Sequence, residues 1–134
     1  MLTFIRPLLV ISAGALTYVF GEWDTAMTAL LLVVITDYVT GIISAAIAGN
    51  LNSEKGFKGI LKKVFIFLVV AAAAAVDTVI PATRGAVRAS VCMFYIANET
   101  LSVLENAGEI GLPLPQALKS AVEKLRNTGG EKDA

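Results

Sequence analysis

Histidine is absent from this sequence of 134 residues, and cysteine occurs once, at Cys92. The lack of histidine excludes His-based catalytic triads and His metal sites. A lone cysteine excludes an intrachain disulfide and a cysteine-cluster zinc site. Net charge is also lacking, because eleven basic and eleven acidic residues cancel, so no basic field favours nucleic acid as a partner. The sequence therefore offers no candidate catalytic, cofactor-binding or metal-binding residues.

Charged residues are scarce, at 16% of the chain, whereas hydrophobic residues make up 56%. Before Glu54 the only charged residues are Arg6, Glu22, Asp24 and Asp37. A soluble helical bundle needs a polar face on each helix, which this part of the chain cannot supply. The composition therefore excludes a soluble globular domain and predicts an all-α integral membrane protein.

Four segments are candidates for membrane-spanning helices, since a span needs about 20 mostly apolar residues. They comprise residues 4–20, 25–48, 63–80 and 85–104. Gly21 and Asp24 lie between the first two segments. Gly21 suits the end of the first helix, and Asp24 suits the N-cap of the second. The fourth segment is ambiguous, because Arg88, Asn98 and Glu99 make its insertion alone unfavourable. It either spans with partners that cover its polar side or lies at the membrane interface.

Basic residues indicate the topology of these segments. A polar loop over residues 49–61 leads into the third segment, and its lysines mark the cytoplasmic side by the positive-inside rule. These topology-setting residues are Lys55, Lys58, Lys62 and Lys63. With four spans and both termini inside, nine of the eleven basic residues are cytoplasmic, and only Arg84 and Arg88 are outside. The rule favours four spans over three, with a cytoplasmic N-terminus.

The chain changes character after Gly108. Gly111, Pro113 and Pro115 break the helix, and Pro115 opens a short amphipathic helix. Its apolar side consists of Leu118, Ala121, Val122 and Leu125. We therefore divide the chain into a transmembrane helical domain, residues 1–107, and a cytoplasmic amphipathic helix with a polar tail, residues 108–134.

Asp37 lies near the midpoint of the second segment, and an ionisable group at that depth is a functional-site hypothesis by default. It can face a pore, carry a proton or pair with Arg88 on another helix. The alternative is a structural hydrogen bond to Thr36, Thr40 or a neighbouring helix.

Small residues continue the face that carries Asp37, at Gly41, Ala45 and Gly49. Such a row lets two helix backbones approach closely. It predicts either homo-oligomer packing or packing within one chain, and the sequence does not separate the two.

A polar stripe runs along the fourth segment at alternating spacings of four and three residues, which keeps it on one helical face. It consists of Arg88, Cys92, Tyr95, Glu99, Ser102 and Asn106, and Asn98 adds a further polar group. The stripe predicts a pore-lining or subunit-facing surface. The alternative is an interfacial helix whose polar side meets water.

Three stretches, in this order, resemble the toxin-secretion/phage-lysis holin family. The first is DYVTGI at residues 37–42, and the second is NSEKGFKGILKK at residues 52–63. The third and most specific is FYIANETLSVLENA at residues 94–107, followed by GLPLP at residues 111–115. The similarity extends from about residue 25 to residue 125.

The resemblance implies a non-enzymatic protein of the bacterial cytoplasmic membrane. Holins oligomerise there and open holes that depolarise the cell and release an endolysin, and relatives in toxin loci are linked to protein export. Two other functions stay open: a small ion channel or transporter that uses Asp37, and an antiholin-like regulatory subunit. We further hypothesise that Arg88 and Glu99 find water or each other only in the oligomer.

Overall fold

The computed structural model describes residues 1–129, and its regular secondary structure over that range is all helical, as the sequence predicts. Its five α-helices and one short 3-10 helix are α1 Leu2–Phe20, α2 Thr25–Ile47, α3 Ser53–Val79, the 3-10 helix Pro81–Thr83, α4 Ala86–Glu109 and α5 Gln116–Gly129. No strand occurs in this part of the chain. Three helices, α1, α2 and α3, are long and apolar enough to cross a membrane.

Side-chain caps set the starts of α2 and α3. The Met27 backbone N–H donates to the Asp24 carboxylate at 3.0 Å, which confirms the predicted cap of the second helix. Asn52 caps α3 in the same way, by accepting from the backbone N–H groups of Glu54 and Lys55.

The cap at Asn52 corrects the extent of the predicted basic loop. Helix α3 begins at Ser53, so only a short turn separates it from α2. All four topology-setting lysines therefore lie on α3, namely Lys55, Lys58, Lys62 and Lys63. The loop prediction was wrong because polarity was interpreted as irregular structure, although a polar segment can equally form the first turns of a helix.

Helices α2, α3 and α4 form the packed part of the molecule. One end of this bundle, near the α1–α2 turn, contains a cluster of buried apolar side chains that we call the apolar layer. It consists of Met27, Leu30, Val34, Ile66, Val70 and Cys92. Helix α1 has no buried residue and reaches the bundle near its C-terminus, where the Phe20 and Phe67 rings meet edge to face at a centroid distance of 6.4 Å.

Helix α4 extends beyond the predicted fourth segment and packs against both α2 and α3. It is not among the helices that are apolar enough to span by composition, so a fourth crossing stays a prediction. Helix α5 packs against α4. The amphipathic face of α5 also stays a prediction, because the side chains at positions 122 and 125 are among those not described. The predicted polar tail lies outside the described residues from 130 onward.

Candidate functional site

Three charged side chains from three different helices meet in the middle of the bundle. The Lys63 ammonium on α3 donates to the carboxylates of Asp37 on α2 and Glu99 on α4. Asp37 and Glu99 are buried, with 6% and 4% of their surfaces exposed. Because isolated charges are costly in an apolar environment, this arrangement ties the three helices to one another at this depth.

Neutral polar groups of α4 complete the surroundings of Asp37. The Asn106 side-chain amide donates to the Asp37 carboxylate at 3.1 Å and to the Thr40 hydroxyl at 3.0 Å. Ser102 lines the same cavity wall as Asp37 and Lys63. We call this set the charged layer: Asp37, Lys63, Glu99, Ser102 and Asn106.

The charged layer continues toward the α2–α3 turn through polar contacts between helices. The buried Ser44 hydroxyl on α2 donates to the Glu109 carboxylate at 2.7 Å. The Tyr38 hydroxyl donates to the Gly56 carbonyl on α3 at 3.4 Å. The bundle therefore has a polar half near the α2–α3 turn and an apolar half near the α1–α2 turn.

Arg88 lies at the opposite end from the α2–α3 turn and binds the α1–α2 turn. Its guanidinium donates to the Asp24 carboxylate at 2.9 Å and to the backbone carbonyls of Phe20 and Glu22. Asp77 accepts from the backbone N–H groups of Val87 and Arg88, and so caps the start of α4. These bonds fasten α4 to α1, α2 and α3 at this end.

Asp24 lies in the α1–α2 turn, outside the spanning helices. The hydrogen bond from Arg88 and that from the Met27 backbone N–H hold the pKa of Asp24 below its ordinary value of 3.8. Asp24 is therefore ionised at neutral pH, as the ion pair with Arg88 requires.

These contacts bear on two hypotheses about charge pairing. Asp37 pairs with Lys63 and not with Arg88. Arg88 and Glu99 do not pair with each other in one chain, where Arg88 binds Asp24 and Glu99 binds Lys63. The hypothesis that they meet water only in the oligomer stays a prediction. Lys63 was predicted only as a topology signal, and its role in the bundle was missed. The available clue was its position directly before the apolar run of residues 64–76.

The polar stripe of α4 points mainly into the bundle. Cys92 is fully buried against Met27, with a sulfur–sulfur distance of 4.0 Å. Tyr95 packs against the apolar layer, and Asn98 lines a cavity beside Lys62 and Lys63. Within one chain, Cys92 and Glu99 of this face are buried, and the other members of the stripe are half-buried.

The small-residue row on α2 lies partly against α4. A Cβ atom added at Gly41 would lie 3.7 Å from the Asn106 side-chain nitrogen, so Gly41 faces a helix of the same chain. One added at Gly49, which has a positive φ of 73°, meets nothing within 4 Å. Gly41 therefore fits packing within one chain, and Gly49 serves the turn after α2.

Two cavities flank the charged layer. One, of about 280 Å³, extends from the α2–α3 turn to Asp37 and Lys63, and Gly41 and Ala45 form part of its wall. The other, of about 340 Å³, lies on the far side of Lys63, between α3 and α4.

Comparisons with known proteins identify a matching family and several similar proteins. The bacteriophage holin family matches residues 14–127. A probable holin of Bacillus phage phi105 is 33% identical over 118 residues, covering 88% of this chain and 86% of that protein. An uncharacterised protein of Halalkalibacterium halodurans is 42% identical, covering 85% of this chain and 87% of its own length. An uncharacterised 14.9 kDa protein in the nagH 3′ region of Clostridium perfringens is 37% identical, covering 88% and 90%. No solved structure matches the chain.

These matches confirm the resemblance that the three sequence stretches indicate. The family covers α2, α3 and α4, and therefore the whole charged layer. Together with the three helices that can cross a bilayer, it makes this a multi-pass membrane protein. The chain belongs to the bacteriophage holin family.

Proposed function

We propose that this protein oligomerises in the bacterial cytoplasmic membrane and opens holes there. The holes depolarise the cell and release an endolysin, or a large secreted protein, to the outside. The observation that carries the proposal is the charged layer: Lys63, Asp37 and Glu99 are enclosed by three helices whose outer faces are apolar. Such a bundle holds, inside itself, the side chains that an aqueous hole needs on its wall.

Opening begins, in this account, with the separation of α4 from α2 and α3. Helix α4 is the least apolar of the four long helices, and it holds α2 through polar contacts of Asn106 and Glu109. Separation exposes Asp37, Lys63 and Glu99, and each of these charges costs about 2.5–3.5 kcal/mol at the centre of a bilayer on insertion scales. Only an assembly in which these residues line a water-filled hole removes that cost. Opening and assembly therefore favour each other.

The exposed outer surface supplies the means of assembly. None of the residues of α1 is buried, and its apolar side chains face outward along its length. In a crowded membrane this surface can exchange lipid contacts for contacts with another copy of the chain. The functional partner, an endolysin, passes through the hole and needs no stable contact with it.

The topology we propose has four crossings and a cytoplasmic N-terminus. Helix α4 has 24 residues, which corresponds to about 36 Å and exceeds the roughly 30 Å hydrocarbon core. Its polar side is covered by α2 and α3, which is the condition under which such a segment can span. The lysines at the start of α3 then lie on the cytoplasmic side.

Inducible expression in a bacterium, with and without a cytoplasmic endolysin, tests this function. We expect an abrupt loss of membrane potential in both cultures and lysis only in the culture that contains endolysin. Growth with an intact potential, despite confirmed insertion, would contradict the proposal. A saturable, gradient-driven flux would instead support the transporter, which the cavity leading to Asp37 favours, and delayed lysis by another holin would support the antiholin.

A matched pair of variants on α4 tests the role of the charged layer. Glu99→Leu removes one buried carboxyl group and leaves the Asp37–Lys63 ion pair, and replacing buried ionic groups by apolar ones is neutral or stabilises a protein by about 1–4 kcal/mol. We expect its open fraction to fall roughly tenfold and lysis to be delayed, since 1.4 kcal/mol is a factor of ten. Glu105→Leu, at an exposed position of the same helix, should keep the wild-type lysis time. Equal lysis times for both variants would exclude a role of Glu99 in opening.

A further inference from the structure

The charged layer is not electrically balanced. It contains the two carboxyl groups of Asp37 and Glu99 and the single ammonium of Lys63. Among the described residues, Lys63 is the one amine that forms an ion pair with either carboxylate. The other titratable side chains on the adjoining cavity walls are Tyr38, Lys55, Lys62 and Tyr95.

One bound proton removes this imbalance. With both carboxyl groups ionised, the cluster has a net charge of −1 inside the bundle, where excess charge is strongly disfavoured. The two carboxyl groups also lie close to each other, because both contact the same Lys63 ammonium. A proton held between them therefore leaves one carboxylate to pair with Lys63 and gives a neutral cluster.

A cavity leads from this cluster toward the α2–α3 turn. The cavity of about 280 Å³ has Asn50, Asn52 and Lys55 at its outer end and Asp37 and Lys63 at its inner end. In the opposite direction the apolar layer closes the bundle, with Met27, Leu30, Val70 and Cys92 fully buried. The cluster is thus connected to the α2–α3 turn and separated from the α1–α2 turn.

We propose that Asp37, Glu99 and Lys63 form a proton-binding site that exchanges with solvent through the cavity at the α2–α3 turn. The site goes beyond hole formation, since a single closed bundle already contains it. Protonation keeps the cluster neutral and the helices together, and loss of the proton leaves a buried negative charge that favours opening.

Infrared spectroscopy of the full chain in lipid nanodiscs tests for the bound proton directly. At pH 7 we expect the carbonyl stretch of one protonated carboxylic acid, shifted downward in D₂O. Glu99→Gln and Asp37→Asn should each abolish it, because the remaining carboxylate pairs with Lys63, whereas Glu105→Gln should keep it. Lys63→Met should double it, since both carboxyl groups then bind protons.

Absence of this band from the wild-type chain would overturn the proposal. This result does not depend on whether any variant folds. A band that persists in both Glu99→Gln and Asp37→Asn would overturn it too. The measurement is independent of lysis, so a chain that fails to form holes can still show the bound proton.

Thiol accessibility tests the route. In a chain with Cys92→Ala, we expect Ala45→Cys, on the cavity wall, to react with a membrane-impermeant reagent from the same membrane face that modifies Asn50→Cys. Ile43→Cys, on the outer apolar face, should react from neither. Failure of Ala45→Cys to react, or its reaction from the opposite face, would overturn the proposed route.

Discussion

Asp24 joins two interactions at the α1–α2 turn, the cap of α2 and the ion pair with Arg88. Asp24→Ala removes both and should destabilise the bundle by about 1 kcal/mol, the usual cost of losing an N-cap. Asp24→Asn keeps a good cap and should lose only the ion pair, which is worth at most about 1 kcal/mol because Asp24 is half exposed. Thermal unfolding in detergent measures the loss of stability of both variants. A larger loss for Asp24→Asn than for Asp24→Ala would contradict the role of Asp24 as an N-cap.

The lowered pKa of Asp24 fixes the sign of a pH effect. A carboxyl group whose pKa is lower in the folded than in the unfolded state contributes stability above the unfolded value, here 3.8. That contribution is lost as the pH falls through the folded pKa. We expect the thermal midpoint of the wild-type chain to fall below pH 4 more steeply than that of Asp24→Asn. Parallel curves for the two proteins would exclude the effect.

Helix α2 presents two leucines with opposite surroundings, which allows a matched test of the bundle. Leu30 is fully buried in the apolar layer, whereas Leu32 is 60% exposed on the outer face. Leu30→Ala should lower the free energy of unfolding by about 2–5 kcal/mol through lost packing and a cavity, and Leu32→Ala by less than about 0.5 kcal/mol. Denaturation in mixed micelles gives both values. Equal losses would mean that α2 does not pack on α3 and α4 through this face.

At this scale the sequence predicts helices better than it predicts their partners. Long apolar runs identify α1, α2 and most of α3, because span length and hydropathy are local properties. The start of α3 was missed, since a capped polar turn and a loop have similar composition. The polar stripe of α4 was predicted as a face, but its contacts with Lys63 and Asp37 join residues that are 36 and 69 positions apart, which periodicity does not encode.

The whole molecule combines an apolar exterior with a charged interior, and this inversion links its fold to its function. A bundle that only needed to reside in a membrane would gain from apolar residues at Asp37, Lys63 and Glu99. Their presence fits a protein that must also exist in an open form, in which the same side chains meet water. The closed form in one chain and the proposed hole are then two arrangements of one set of helices.

Cys92 allows the most direct measurement of this central claim. It is the only cysteine of the chain, lies on the inward face of α4 and is fully buried. We would express the protein without endolysin and follow the modification of Cys92 by a membrane-impermeant thiol reagent before and after depolarisation. The control is Ile35→Cys in a chain with Cys92→Ala, which places the thiol on the outer apolar face.

We predict that Cys92 is unreactive before depolarisation and reactive after it, while the control thiol stays unreactive throughout. That result would show that the interior of the bundle becomes exposed to water when the hole opens. If Cys92 stays protected in fully depolarised cells, or if the Ile35→Cys thiol reacts in its place, the hole is lined by the outer surfaces of intact bundles, and the central claim is wrong.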